Sequence, residues 1–318
     1  MQKEISAQKK WIMRLATLAF ILVVFFFMGR TIFINWREIS TYTFSLNILY
    51  LILSFAFIIL SIVVQALIWR MILRTLQSNT KLSYSDGIGI FITTWLARYV
   101  PGTVLVFISR VVLTAQKGFN RRYTAVSMLL EAIFGIAGPS IVAVIFLLIS
   151  GGAGEQYLII LLLAIVIGTI LTHPRILYPA ANSILYIAKR ERIEKTHQFS
   201  LQRNLLFILL YVFVGVLAGI GFYFFISSIV PNVSFSLFHM IGVLNLASVL
   251  GLIAFFLPAG LGVREAVFIL LLQLYIPLPI AVVVTIAARL WTVLADFLLI
   301  GTVTPFIKYR PYGDSSLD

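Results

Sequence analysis

Apolar residues run along this chain in stretches far longer than the four to eight of a buried strand. Trp11 to Phe27 and Leu205 to Val230 are almost unbroken. A helix needs about 20 apolar residues to cross the hydrocarbon core of a bilayer. Six segments supply them, near 11–34, 46–69, 124–149, 156–172 (extendable towards 187), 204–230 and 279–304. Two further apolar stretches are interrupted. Residues 84–116 are broken by Arg98, Pro101 and Gly102, and residues 238–276 by Pro258, Gly260, Gly262, Arg264 and Glu265. Each half of these stretches is short, and irregular backbone at membrane depth is tolerated only against protein or a wet cavity. The pattern predicts two re-entrant or broken hairpins; two short full spans in each place is the alternative. The expected fold is all-α: one polytopic helical membrane domain over residues 1–318.

Basic residues orient these spans, because cytoplasmic loops carry an excess of Lys and Arg. Lys3, Lys9, Lys10 and Arg14 precede the first span. Arg70, Arg74 and Lys81 follow the second, and Lys117, Arg121 and Arg122 follow the first hairpin. Lys189, Arg190, Arg192, Lys195 and Arg203 lie between the fourth and fifth spans, and Lys308 and Arg310 follow the last. All fall on one side if each hairpin returns to the side it entered. The other side holds only Arg30 and Arg37, against Glu38 and Glu155. The expectation is a multi-pass protein of the cytoplasmic (inner) membrane with both termini cytoplasmic. Counting each hairpin as two full spans gives the same parity, so the charges fix orientation and leave hairpin depth open.

Composition agrees. Of 318 residues 61% are hydrophobic and only 11% charged, where a soluble domain carries about 25%. The net charge of +13 sits mostly in the short flanking runs, where anionic headgroups account for it, so no nucleic-acid partner is expected. There is no cysteine, which removes disulfides, thiol catalysis and cysteine-ligated metals. The first apolar segment is too long for a signal peptide and lacks a small-residue cleavage site, so it is expected to remain as an anchor.

A shift of about 158 residues lays the second interrupted stretch on the first: Pro101-Gly102 falls on Ala259-Gly260, and Glu131 on Arg289. One hairpin then opens inward and the other outward. That is an inverted repeat with halves near 11–150 and 156–304, an architecture of secondary transporters whose sites lie where broken helices meet.

Seven ionisable residues fall in or beside apolar segments: Arg98, Arg110, Glu131, Arg264, Glu265, Arg289 and Asp296. Each would cost about 2.5–3.5 kcal/mol at the bilayer centre if unmet, so each marks a candidate functional position. Arg289 and Asp296, seven apart, share one helix face. Four arginines against three carboxylates leave the interior mildly positive. The arginine fork suits phosphate, and broken-helix ends near Gly102 and Gly260 could add backbone donors. The bland alternative is that Arg–carboxylate pairs hold helices together, with Arg98 and Arg110 snorkelling to the interface. His173, His197 and His239 have no metal-ligand spacing, and neither a phosphate loop nor a nucleophile elbow occurs. No metal and no cofactor are expected. Gly215 and Gly219 suit close helix packing more than a dimer face.

The run Ala97-Arg98-Tyr99-Val100-Pro101-Gly102, with Arg110 and Glu131 after it, and the run Pro258-Ala259-Gly260-Leu261-Gly262-Val263-Arg264-Glu265-Ala266 together resemble the signatures of the lysylphosphatidylglycerol synthase transmembrane-region family, also called flippase-like. The resemblance covers about residues 11–306. It implies a membrane domain thought to move a modified lipid between leaflets, which in some members is fused to a cytoplasmic aminoacyl-transfer domain. The sequence runs only to Asp318, so aminoacylation is not expected. The leading expectation is a flippase for an anionic or phosphate-bearing lipid, of phospholipid, glycolipid or polyprenyl-phosphate type. Arg98, Arg110, Arg264 and Arg289 would meet the headgroup, and Glu131, Glu265 and Asp296 would balance them. A membrane-embedded enzyme using Glu131 or Glu265 as general base is the alternative, as is an accessory subunit of a synthase or glycosyltransferase. A homodimer is compatible with the sequence.

Overall fold

The computed structural model describes residues 26–99, 104–149, 173–187, 199–231, 236–254 and 262–303. Among them every regular element is helical. The helices are α1 (Trp36–Thr41), α2 (Ile48–Leu76), α3 (Tyr84–Trp95), α4 (Val104–Ala115), α5 (Arg121–Ile149), α6 (Pro174–Ile187), α7 (Leu201–Ile229), α8 (Leu237–Ile253), α9 (Val263–Leu272) and α10 (Leu278–Val303). A 3₁₀ turn, Leu96–Tyr99, continues α3.

Length sorts these helices. Helices α2, α5 and α7 have 29 residues each and α10 has 26. At about 1.5 Å per residue, each exceeds the roughly 30 Å hydrocarbon core. Helices α3 and α4 have 12 residues each, α8 has 17 and α9 has 10. At the same rise, all four fall short of it. The protein is therefore a polytopic helical membrane protein with four described full spans and two pairs of short arms. The expected spans near 11–34 and 156–172 lie wholly or largely outside the described residues, as do Pro101, Gly102, Pro258 and Gly260. One boundary is corrected. The span expected to end at 69 runs to Leu76, because Arg70, 6% exposed, finds polar partners inside the protein. Its guanidinium donates to the Leu82 and Ser83 carbonyls and lies 3.8 Å from the Tyr84 ring centroid.

The order long, short, short, long occurs twice, as α2–α5 and as α7–α10, with equivalent helices starting 153 to 159 residues apart. Contacts place the arms. The Lys117 ammonium sits 2.7 Å from Asp86, so α3 starts beside the end of α4 and the start of α5. Phe238 packs on Phe146 with centroids 5.7 Å apart, so α8 starts beside the far end of α5. The two arm pairs therefore enter from opposite ends of the bundle. Helices α2 and α7 share its most extensive contact.

Small residues make the close approaches. A Cβ on Gly138 would lie 2.6 Å from Tyr211 Cβ, and one on Gly219 would lie 2.7 Å from Ile241 Cα. Thus α5 meets α7, and α7 meets α8, almost backbone to backbone. Gly215 serves the same α7–α8 contact, where Asn245 donates to its carbonyl at 2.9 Å. The Gly215/Gly219 pair is thus used for packing within the chain, as the spacing suggested.

Candidate functional site

The helices bring the predicted charges together in three ion pairs. Arg110, on α4, donates to Glu131 of α5 at 2.6 Å and to the Thr94 hydroxyl at 3.1 Å. Its guanidinium carbon lies 4.4 Å from the centroid of Phe91 and 4.9 Å from that of Trp69. Only 2% of its side chain is exposed, so Arg110 does not snorkel. Two aromatic faces, a hydroxyl and a carboxylate meet it inside the protein.

Glu265, on α9, is buried. Gly262 stands just before α9 with φ 89°, a left-handed conformation that glycine adopts without cost. Its N–H donates to Glu265 Oε2 at 2.7 Å, so the carboxylate caps the helix that it stands on. The other oxygen, Oε1, lies 3.5 Å from Arg289 of α10. Both short second arms are thus tied by charge to the long helix that follows them. The polarity is reversed between halves, as the Glu131–Arg289 correspondence in the sequence requires.

Asp296, on α10 and 1% exposed, receives Arg98 from the 3₁₀ turn that ends the first arm of its hairpin. Trp95, one turn before Arg98, donates its indole N–H to Asp296 at 3.0 Å. The Arg98 guanidinium carbon also lies 4.2 Å above the Trp95 ring centroid, within the range of a cation–π contact. Of the three pairs, this alone joins one repeat to the other. Helix α10 therefore serves both hairpins: Arg289 takes its partner from the second and Asp296 from the first. Seven residues of helix set these two contacts about 10 Å apart.

Arg264 turns its guanidinium towards the Phe268 ring, 5.3 Å from the centroid. Trp95, Thr94, Trp69 and Phe91 are site residues that the sequence did not mark, since apolar and aromatic residues are expected everywhere in such helices. The spacing of Trp95 from Arg98, one turn along a helical segment, was the one available signal. Among the described residues, no group of three or more acidic or histidine side chains is placed to hold a metal ion.

The model of the lysylphosphatidylglycerol synthase TM region matches residues 12–300. The chain belongs to this family. The matched region contains all seven charged candidates and both interrupted stretches. No curated protein sequence matches the chain significantly. Family membership makes the chain a membrane-embedded, lipid-related TM region, and the match is to the TM region alone.

Proposed function

We propose that this protein carries an anionic or phosphate-bearing lipid between the leaflets of the cytoplasmic membrane, with both termini on the cytoplasmic side and the repeats inverted across the bilayer. One observation carries the reading. Two short-armed hairpins enter from opposite ends, and a single helix, α10, binds a charged residue from each. An alternating-access carrier needs such an arrangement, with one central site and a barrier towards each side. Arginines from the first hairpin, the second hairpin and α10 supply forked donors for a phosphate, with Arg98, Arg264 and Arg289 the more accessible and Arg110 the buried anchor. The two carboxylates considered as general bases, Glu131 and Glu265, are each engaged by an arginine, which favours carriage over acid–base chemistry.

The test is reconstitution of the purified protein in liposomes bearing a fluorescent anionic phospholipid, with leaflet exposure read by chemical quenching. Faster exchange than in protein-free liposomes, slowed by Arg264→Lys at equal protein content, is the expected result. Exchange no faster than in protein-free liposomes, across phospholipid, glycolipid and polyprenyl-phosphate probes, would overturn the proposal.

A further inference from the structure

The three buried ion pairs differ in what they connect and in how far they can be reached. Arg110–Glu131 and Glu265–Arg289 each lie within one repeat. Arg98–Asp296 crosses between the repeats, and it combines the most exposed arginine of the three pairs (28%) with the most buried carboxylate (1%). Packing across the two equivalent seams also differs. At the end away from the basic loops, α8 seats on α5 with Gly242 against Leu147 and Phe238 against Phe146. At the basic end, α3 meets α10 far more sparsely, with Trp95 and Arg98 on Asp296 and with Leu299 joining the apolar cluster of α2 and α3.

We infer that Arg98–Asp296 is a latch on the basic-end seam, and that an anionic headgroup opens it by taking Arg98 away from Asp296. The inference rests on the carrier reading and adds to it the step that joins binding to gating. Arg98 stands at the end of an arm, backed by the Trp95 ring, with 28% of its side chain exposed while its Nη2 group is on Asp296. A phosphate, like a carboxylate, offers two oxygens that accept both prongs of an arginine fork. It can therefore replace Asp296 on the fork, which leaves the Trp95 N–H bond as the weaker polar contact across the seam, to break when the helices part. Loss of the pair removes the charge contact between the repeats and leaves only the Trp95 bond and the Leu299 packing to hold the seam, which therefore parts more readily while an anion holds Arg98. Asp296 is then an internal competitor, and it lowers apparent headgroup affinity by the fraction of time the latch is closed.

The latch carries an unusual expectation: removing an acid from inside the bundle should strengthen binding of an anionic lipid. Binding of phosphatidylglycerol to the detergent-purified protein, followed by native mass spectrometry, should tighten in Asp296→Asn. The gain is on the order of tenfold if the latch is closed nine-tenths of the time. Binding should be lost in Arg98→Gln. Unchanged or weaker binding in Asp296→Asn overturns the latch. The chain has no cysteine, so a second measurement avoids altering the pair at all. Spin labels on Tyr84→Cys and Leu298→Cys, both at exposed positions on the two sides of the seam, should move apart when phosphatidylglycerol is added. An unchanged distance, or an equal response to uncharged diacylglycerol, also overturns it. Inorganic phosphate that widens the distance as the lipid does marks the free anion as a sufficient key; a response confined to the lipid marks the headgroup in its chain. Both support the latch. If the labels respond but no lipid crosses liposomes, carriage falls and the latch stands. If lipid crosses while the labels stay still, the reverse holds.

Discussion

The two repeats use the same order of helices but put matching positions of their last spans to different use. In α10 the second repeat places Asp296, which reaches across to Arg98. The residue 158 positions earlier is Gly138 of α5, where any side chain would collide with Tyr211 and the backbone of Val212. Where one repeat sets a charged contact, the other sets a bare backbone surface for α7. Glycine contacts are rigid and dry and depend on shape alone. A charged pair can be exchanged for another partner of like chemistry. Near-equivalent positions have thus taken on separate roles. The α5–α8 seam, with Gly242 on Leu147, is likewise sealed by fit, and the α3–α10 seam is held by an exchangeable bond.

The largest effect should come from locking the sealed seam. An ideal Cβ on Gly242 lies 2.6 Å from Leu147 Cγ, so Leu147→Cys with Gly242→Cys sets two thiols within disulfide reach. Oxidation should stop lipid exchange in liposomes and reduction should restore it. Undiminished exchange in the cross-linked protein would show that this seam never opens.

Next come the buried anchors. Glu131→Ala leaves Arg110 buried against Trp69 and Phe91 without its carboxylate, at a cost of about 3–5 kcal/mol. Thermal unfolding in detergent should show the loss directly. Gly138→Val tests shape in place of charge. It forces side-chain atoms into the α7 backbone and should cost about 3 kcal/mol, near the top of the range for overpacking. A neutral Gly138→Val would break the claim that α5 meets α7 by fit.

Arg289→Gln should matter less, about 1–3 kcal/mol, because Glu265 keeps its bond from Gly262 N–H. If it cost as much as Glu131→Ala, the two within-repeat pairs would be equal in weight after all. The smallest effect belongs to Lys117→Ala. Its pair with Asp86 is about one-third exposed on both sides, and such pairs contribute less than about 1 kcal/mol.

Much of this architecture could be read from apolar run length. The four long helices and four short arms fall where uninterrupted and interrupted hydrophobicity placed them, because membrane spans are set by a fixed thickness. The expected end of the second span failed at Arg70, since sequence alone does not show that carbonyls of the following turn will receive a guanidinium. Buried charge flagged Arg98, Arg110, Glu131, Glu265, Arg289 and Asp296 as residues needing partners, and each has one. Their pairing was not legible. Arg98 and Asp296 lie 198 positions apart, and nothing local distinguishes that match from Arg98 with Glu131. The role of Glu265 in starting α9 was closer to hand, three residues after a glycine, in the spacing of a capping box. Trp95 stayed hidden because an indole N–H gives no signal among so many aromatic residues.

One contact has no counterpart to be compared with. Helices α2 and α7 are each other's equivalents, so their interface maps onto itself when the repeats are exchanged. It is also fastened at one end, where the Ser45 and Asn47 N–H groups donate to the carbonyls of Ile229 and Ser228 at 3.3 and 2.9 Å. Gly221 brings the α2 backbone at Ser54 and Ile58 close to α7 along the same seam. In the carrier cycle proposed above, every other interface between the repeats would loosen on one side as its twin tightens on the other, but this one can stay as it is. For that proposed cycle it would be the axle, with the Ser45–Ile229 clasp as its fastened end.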